Sequence, residues 1–267
     1  MNSFNWENFF ESIPYPFQGL FKKDMPVWEI LNDLKSFLRE NISPNLPDEI
    51  KVGVPLEKPY VLLPGGWMSS GFEVDCNDET KGKLSVWIEG ERVKEATLVC
   101  AGAVFGDYRV QLGKGVLIEP GAMIKGPCII LDNAQIRQGA YLREDCLIGP
   151  NTVVGHVTEV KHSIFLQGAK AGHFAYIGDS ILGNDVNLGA GTKLANLKFG
   201  SGTVKIKCED SSLIDTNRRK IGAIFGDRVQ TGCNSVTNPG SIIGPNSIIA
   251  PNATVRPGHY PSRTIIK

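Results

Sequence analysis

The sequence predicts a mainly β protein: a parallel β-helix of hexapeptide repeats with an N-terminal α+β cap region. Two observations carry this. Read in sixes from Leu112, ten consecutive hexads open on an aliphatic residue, through Ile118, Ile124 and Ile130 to Val160 and Leu166. Four positions on, small residues recur at Ala122, Cys128, Ala134, Ala140, Cys146, Thr152 and Thr158. A period of six fits neither an ordinary strand nor a helix and marks a hexapeptide β-helix. Three flat faces make one coil of eighteen residues, with an aliphatic side chain pointing inward from each and a small residue near each corner. Coils stack as parallel strands about 4.8 Å apart. In this motif the winding is left-handed, a property of the motif that spacing alone does not convey.

The pattern resumes at Leu182, Leu188 and Leu194 and returns from Phe225 to Val255. Between these lies an off-register stretch, about 198–222. There Val204, Ile206 and Cys208 alternate with Lys205 and Lys207, which predicts a loop or hairpin thrown out from a coil corner. The coil domain is therefore expected over 111–267. Residues 1–110 read differently. Val27, Ile30, Leu31, Leu34 and Leu38 share one face of a helix that ends before Pro44. From Lys51 to about Val110 the chain is irregular and β-rich, with KLSVWIEG and ERVKEATLV suggesting paired strands. This region is expected to cap the coil stack and shield its open edge.

Bulk properties narrow the function. The 28 basic residues balance the 28 acidic ones, so no overall field favours nucleic acid or an anionic membrane. No apolar run is long enough to span a bilayer. The start MNSFNWENFFESIPYPF lacks the basic region of a secretory signal. Six cysteines at 76, 100, 128, 146, 208 and 233 show no CxxC spacing, which suggests reduced thiols in the cytoplasm. Cys128 and Cys146, one coil apart, read as core filling.

Two features point to chemistry. Lys125, Arg143 and Lys161 follow one another at a spacing of eighteen, so three cations stack on successive coils. Like charges stacked on neighbouring strands repel unless something anionic lies between them, which suggests a phosphate site. Second, the repeat slips: Leu166 to Leu182 is two residues short of a coil, and the slip falls on GAKAGHFAYIGD, Gly168 to Asp179. His173 and Tyr176 stand in that stretch, with Glu159 a coil upstream. A neutral imidazole suits general-base work, and a carboxylate on its other nitrogen would fix its tautomer. A lone histidine is more often structural, so composition alone leaves that reading ahead. GAGT, Gly189 to Thr192, reads as a coil corner rather than a phosphate loop.

The stretch TEVKHSIFLQGAKAGHFAYIGDSILGNDVNLGAGTKLANLK resembles the acetyltransferase half of bacterial bifunctional glucosamine-1-phosphate acetyltransferase/uridyltransferases. DTNRRKIGAIFGDRVQTGCNSVTNPGSIIG is more similar to the archaeal sugar-phosphate transferases of the same double activity. The resemblance covers roughly Gly113 to Pro257. It implies a left-handed β-helix, a homotrimer, and acetylation of an amino-sugar phosphate by acetyl-CoA in UDP-N-acetylglucosamine biosynthesis. Acetyl-CoA is then a co-substrate, with no tightly bound cofactor or metal. By position, the resemblance makes His173 the general base and Glu159 the carboxylate that orients it. Arg143 and Lys161 hold the sugar phosphate, beside Lys125 of the stacked cations. Tyr176, Asn187 and Asn196 contact the sugar phosphate and the amine, and Lys220 reaches the substrate. The coenzyme passes Ala190, Cys233 and Pro251.

This chain departs from the pattern at Cys233, where the bacterial enzymes have serine, and at Pro251, where they have alanine. No GxGTR-type nucleotide loop precedes the coil, so a separate nucleotidyltransferase is a possible partner. Two alternatives stay open. One is a non-catalytic sugar-phosphate-binding or regulatory subunit of a nucleotidyltransferase system. The other is a zinc enzyme of the γ-type carbonic anhydrase kind, using His156, His162 and His173 on one ion.

Overall fold

A computed structural model describes residues 4–78, 83–208 and 210–267, and the side chains of all of these except 76–84. From Thr97–Val99 onward, the inserted hairpin apart, the chain winds through three sheets of parallel strands, and two antiparallel strands, Tyr60–Leu63 and Gly66–Met68, extend the first. Among the described residues these hold eleven, eight and eight strands, and consecutive strands pass from the first sheet to the second to the third. They are the three faces of a β-helix of hexapeptide-repeat, left-handed type. Inward-facing Ile118, Ile124, Ile130, Ile136, Leu142 and Ile148 are fully buried in one continuous core, as the period of six requires.

The coil begins earlier than the period suggests. Thr97–Val99 already pairs in parallel with Leu117–Ile118, and Val104–Phe105 with Met123–Ile124. The end of the stack is closed by Ile50, Leu56 and Tyr60, which join the coil core. Tyr60–Leu63 runs antiparallel to Thr97–Val99 and covers that edge.

The slip also differs from the sequence reading. Tyr141 faces Glu159, eighteen residues on, whereas Cys146 faces Ser163, seventeen on. The coil length stays at seventeen as far as Tyr176 and Lys193. Each shortened coil has lost one residue from the corner between the second and third faces. Glu144 and Asp145 fill that corner in the earlier coil; His162 alone (φ 45°) and Asp179 alone (φ 46°) fill it later. The shortfall is thus shared between two corners. His173 and Tyr176 lie in strands that keep their pairing, opposite His156 and Glu159. Phe165 takes the inward place that the period assigned to Leu166, because Ile148 pairs with Phe165 and Phe165 with Leu182. Leu166 packs on the outside, beneath the N-terminal segment.

That segment is not an end cap. Phe9, Phe10, Phe17, Phe21 and Trp28, with Ile30, Leu31, Leu34 and Leu38 of helix α1 (Ile30–Asn41), lie along the third face. They bury the outward row Ile129, Leu147, Ile164, Ile181, Ile224 and Ile242. Polar anchors fix the docking. Asp227 donates its backbone N–H to the Phe9 carbonyl at 2.9 Å and accepts the Glu11 N–H on its carboxylate at 2.8 Å. His162 Nε2 lies 2.9 Å from the Leu31 carbonyl. The off-register stretch contains the expected hairpin, Lys205–Lys207 against Leu213–Asp215. It folds back so that Val204 and Ile206 join the same third-face cluster. Among the described residues no helix is long and apolar enough to cross a membrane.

Candidate active site

Two rows of side chains meet at the corner between the first and second faces. The first row is the corner itself. Backbone N–H groups of Phe174, Gly191, Asn234 and Asn252 donate to the carbonyls of His156, His173, Ala190 and Cys233, at 2.9, 3.0, 2.8 and 2.9 Å. His156, His173, Ala190, Cys233 and Pro251 therefore occupy one corner position on successive coils. The strands Val153–His156 and Lys170–His173 are long enough to carry both histidines, and their rings stack at 5.6 Å. A Cβ on Gly155 would lie 1.8 Å from the Gly172 carbonyl oxygen, so only glycine lets the two strands approach here. His173 and Cys233 are exposed, as a site open to solvent requires.

The second row, on the second face, runs Tyr141, Glu159, Tyr176, Lys193. Beside it stand Lys125, Arg143 and Lys161, stacked as their spacing predicts. These cations are not uncompensated. Arg143 Nη1 donates to Glu159 Oε1 at 3.1 Å. Glu144 lies 3.7 Å from Arg143 and 4.0 Å from Lys161. Lys125 Nζ sits 5.7 Å from the centre of the Tyr141 ring. The repulsion that suggested a bound anion is thus met by the chain's own carboxylates, a point that spacing did not disclose. It also changes the expectation for Glu159. Its carboxylate holds Arg143, and among the described residues no hydrogen bond joins it to His173.

Below Tyr176 lies a polar cluster. The Tyr176 hydroxyl donates to Asn196 Oδ1 at 3.2 Å, and Asn196 Nδ2 donates to Asp179 Oδ2 at 2.5 Å. Arg218 Nη2 is 3.7 Å from Asp179 Oδ1, and Arg218 also bonds Asn32 of α1. Burial, with Glu159 and Asp179 nearby, raises the Tyr176 phenol above its ordinary pKa. The hydrogen bond from Arg143 to Glu159 stabilises the charged guanidinium and raises its pKa.

Of the remaining expected residues, Asn187 is exposed on the first face between Lys170 and Gln230. One chain therefore does not bring it to Tyr176 and Asn196. Lys220 pairs with Leu197 at the neck where the hairpin insertion leaves and re-enters the coil. His162 stands at a different corner from His156 and His173, with Nδ1 3.6 Å from Asp145, so the three histidines do not converge. Sequence reasoning missed Asp179 and Arg218. Asp179 closes the stretch that drew attention to the slip, whereas Arg218 lies in the non-periodic insertion and carried no signal.

Comparison with known proteins fits this architecture. Residues 222–257 match the bacterial transferase hexapeptide (six repeats), and residues 124–236 match the GMPPB C-terminal domain. The class these matches and the fold define is a β-helix of hexapeptide repeats. More particularly, the chain resembles the bifunctional sugar-1-phosphate enzymes. It is 39% identical over 141 residues to the bifunctional sugar-1-phosphate nucleotidylyltransferase/acetyltransferase of Sulfurisphaera tokodaii, covering 46% of this chain and 35% of that protein. It is 31% identical over 233 residues to the bifunctional protein GlmU of Methanocaldococcus jannaschii, covering 83% of this chain and 52% of that protein. The chain spans about half the length of such relatives, or less. Among solved structures, the UDP-N-acetylglucosamine acyltransferase of Francisella novicida aligns with 58% of this chain and 56% of its own. Identity there is 18% and the TM-score 0.28, too little shared geometry to bear on function.

Proposed function

We propose that the protein is an acyl-CoA-dependent N-acyltransferase that acetylates an amino-sugar phosphate, with acetyl-CoA as donor and His173 as general base. The observation that carries this reading is the single corner row that sets His173 above Ala190, Cys233 and Pro251, beside Arg143, Glu159 and Tyr176. A coenzyme lying along that row would present its thioester carbonyl to an amine held against the second face. His173 removes a proton as the amine nitrogen attacks the carbonyl carbon; the tetrahedral adduct collapses with loss of the CoA thiolate. A backbone N–H at the corner steadies the oxyanion. Arg143, whose fork suits phosphate oxygens, and Lys161 hold the sugar phosphate. A homotrimer accounts for Asn187 on the first face, where it would serve a neighbouring copy's site.

One observation favours a second reading, a sugar-phosphate-binding subunit without turnover: Glu159 is taken by Arg143 rather than by His173. A thiol-release assay separates the two. Purified protein is incubated with acetyl-CoA and glucosamine 1-phosphate, with galactosamine 1-phosphate in parallel. Sugar-dependent CoA release is expected, falling about 10²–10⁴-fold in His173→Ala with unchanged melting. Tight sugar-phosphate binding without release would establish the second reading instead.

A further inference from the structure

We propose that Asp179 is a positioning residue which locks the amide of Asn196 and so makes Tyr176 a hydrogen-bond acceptor for the amino group of the acceptor sugar. The proposal rests on the transferase reading above and assigns a specificity element to the same site.

The argument is one of hydrogen-bond polarity. Asp179 is the single residue of the second shortened corner, and it is 4% exposed. A carboxylate only accepts. Arg218 stands with Nη2 3.7 Å from its Oδ1 and is itself held by Asn32 and by the Lys220 carbonyl, the latter at 3.1 Å. The Asn196 amide must therefore turn its Nδ2 toward Asp179, as found at 2.5 Å. Its Oδ1 is left facing Tyr176 and can only accept, so the phenol spends its one proton there, at 3.2 Å. What the Tyr176 oxygen has left to offer is a lone pair. Its neighbours across the strands are Glu159, another acceptor, and Lys193, whose Nζ donates to the Gly191 carbonyl at 2.8 Å. Two acceptors side by side suit an N–H donor and repel a phosphate oxygen. The phosphate then falls to Arg143 and Lys161, in the adjacent stack of cations. Burial, which raises the Tyr176 pKa, keeps the required proton on the phenol.

The variant that tests this is Asp179→Asn. Asparagine tolerates the left-handed backbone at this corner, φ 46°. Its amide can offer an N–H to Asn196, which is then free to turn over and release the Tyr176 proton outward. Binding of glucosamine 1-phosphate and 2-deoxyglucose 1-phosphate is measured by calorimetry, together with steady-state kinetics on the amino sugar. The wild type should prefer the amino sugar by about tenfold or more, the scale of one well-placed hydrogen bond. Asp179→Asn should lose most of that preference, with KM rising about tenfold and kcat changing far less. Tyr176→Phe, which keeps the ring, should lose the same preference and serves if Asp179→Asn does not fold. Wild-type turnover with the preference intact in folded variants overturns the proposal and leaves the transferase reading standing. A wild type that neither binds nor acetylates the amino sugar overturns both.

Discussion

Single residues at this surface differ in chemistry because of where the coil places them. Cys128 and Cys146 pair across adjacent coils and are fully buried. Burial pushes the Cys146 thiol up to about 12, and the Cys128 thiol well above its ordinary value. The thiolate is the reactive form, so at pH 8 both should stay inert. Cys233, exposed on the corner row, should react. Maleimide labelling at pH 8 with peptide mapping should modify Cys233 quickly and reach Cys128 and Cys146 only after denaturation. Rapid labelling of Cys146 in the folded protein would show that the coil interior opens. Acyl-CoA bound along the corner should slow the labelling of Cys233, which would link this residue to the coenzyme path.

Among elements, the N-terminal segment has the most to reveal, because periodicity said nothing of its place. Its docking depends on Asp227, whose carboxylate accepts from the Glu11 N–H and from Asn184. Asp227→Ala would leave those donors without an acceptor and should cost about 1–3 kcal/mol by chemical denaturation. Burial also raises the Asp227 pKa, against the pull of its hydrogen bonds. A carboxyl raised in the folded state contributes stability that is present below its unfolded pKa, near 4, and is lost as pH rises through the folded value. Asp227→Asn should therefore be less sensitive than the wild type to a rise in pH from 4 through the weakly acidic range. A pH–stability curve that keeps the wild-type slope in this variant would remove Asp227 as the titrating group. The third-face strands explain why an aromatic segment docks here. Triplets such as Cys128–Ile130 and Ser163–Phe165 are apolar or small at both parities, so they are buried on the outside as well as within. That signal was in the sequence and was read only as the inward period.

For the whole molecule, a coil stack is nearly one-dimensional: each turn is held by its neighbours. Ile148, fully buried in the middle of the stack, should cost about 2–5 kcal/mol when cut to alanine and should loosen the site above it. Ile266, at the final strand and only partly buried, should cost much less and fray that end alone. Hydrogen exchange across the two variants would check this, and equal losses would mean that the stack unfolds as one unit. The coil itself was legible in the sequence, because one aliphatic residue per face is a local requirement repeated every six residues. The stacking of Lys125, Arg143 and Lys161, and of Cys233 with Pro251, follows from the same period. Tertiary structure alone decided three things. It placed residues 4–42 along the third face, because a second apolar surface needs a partner that no local period names. It divided the slip between His162 and Asp179, because a corner can lose a residue while the strands on either side keep their pairing. And it joined Arg218 to Asp179, Asn196 and Tyr176, because those contacts link an aperiodic insertion to a coil from which it is separated in sequence.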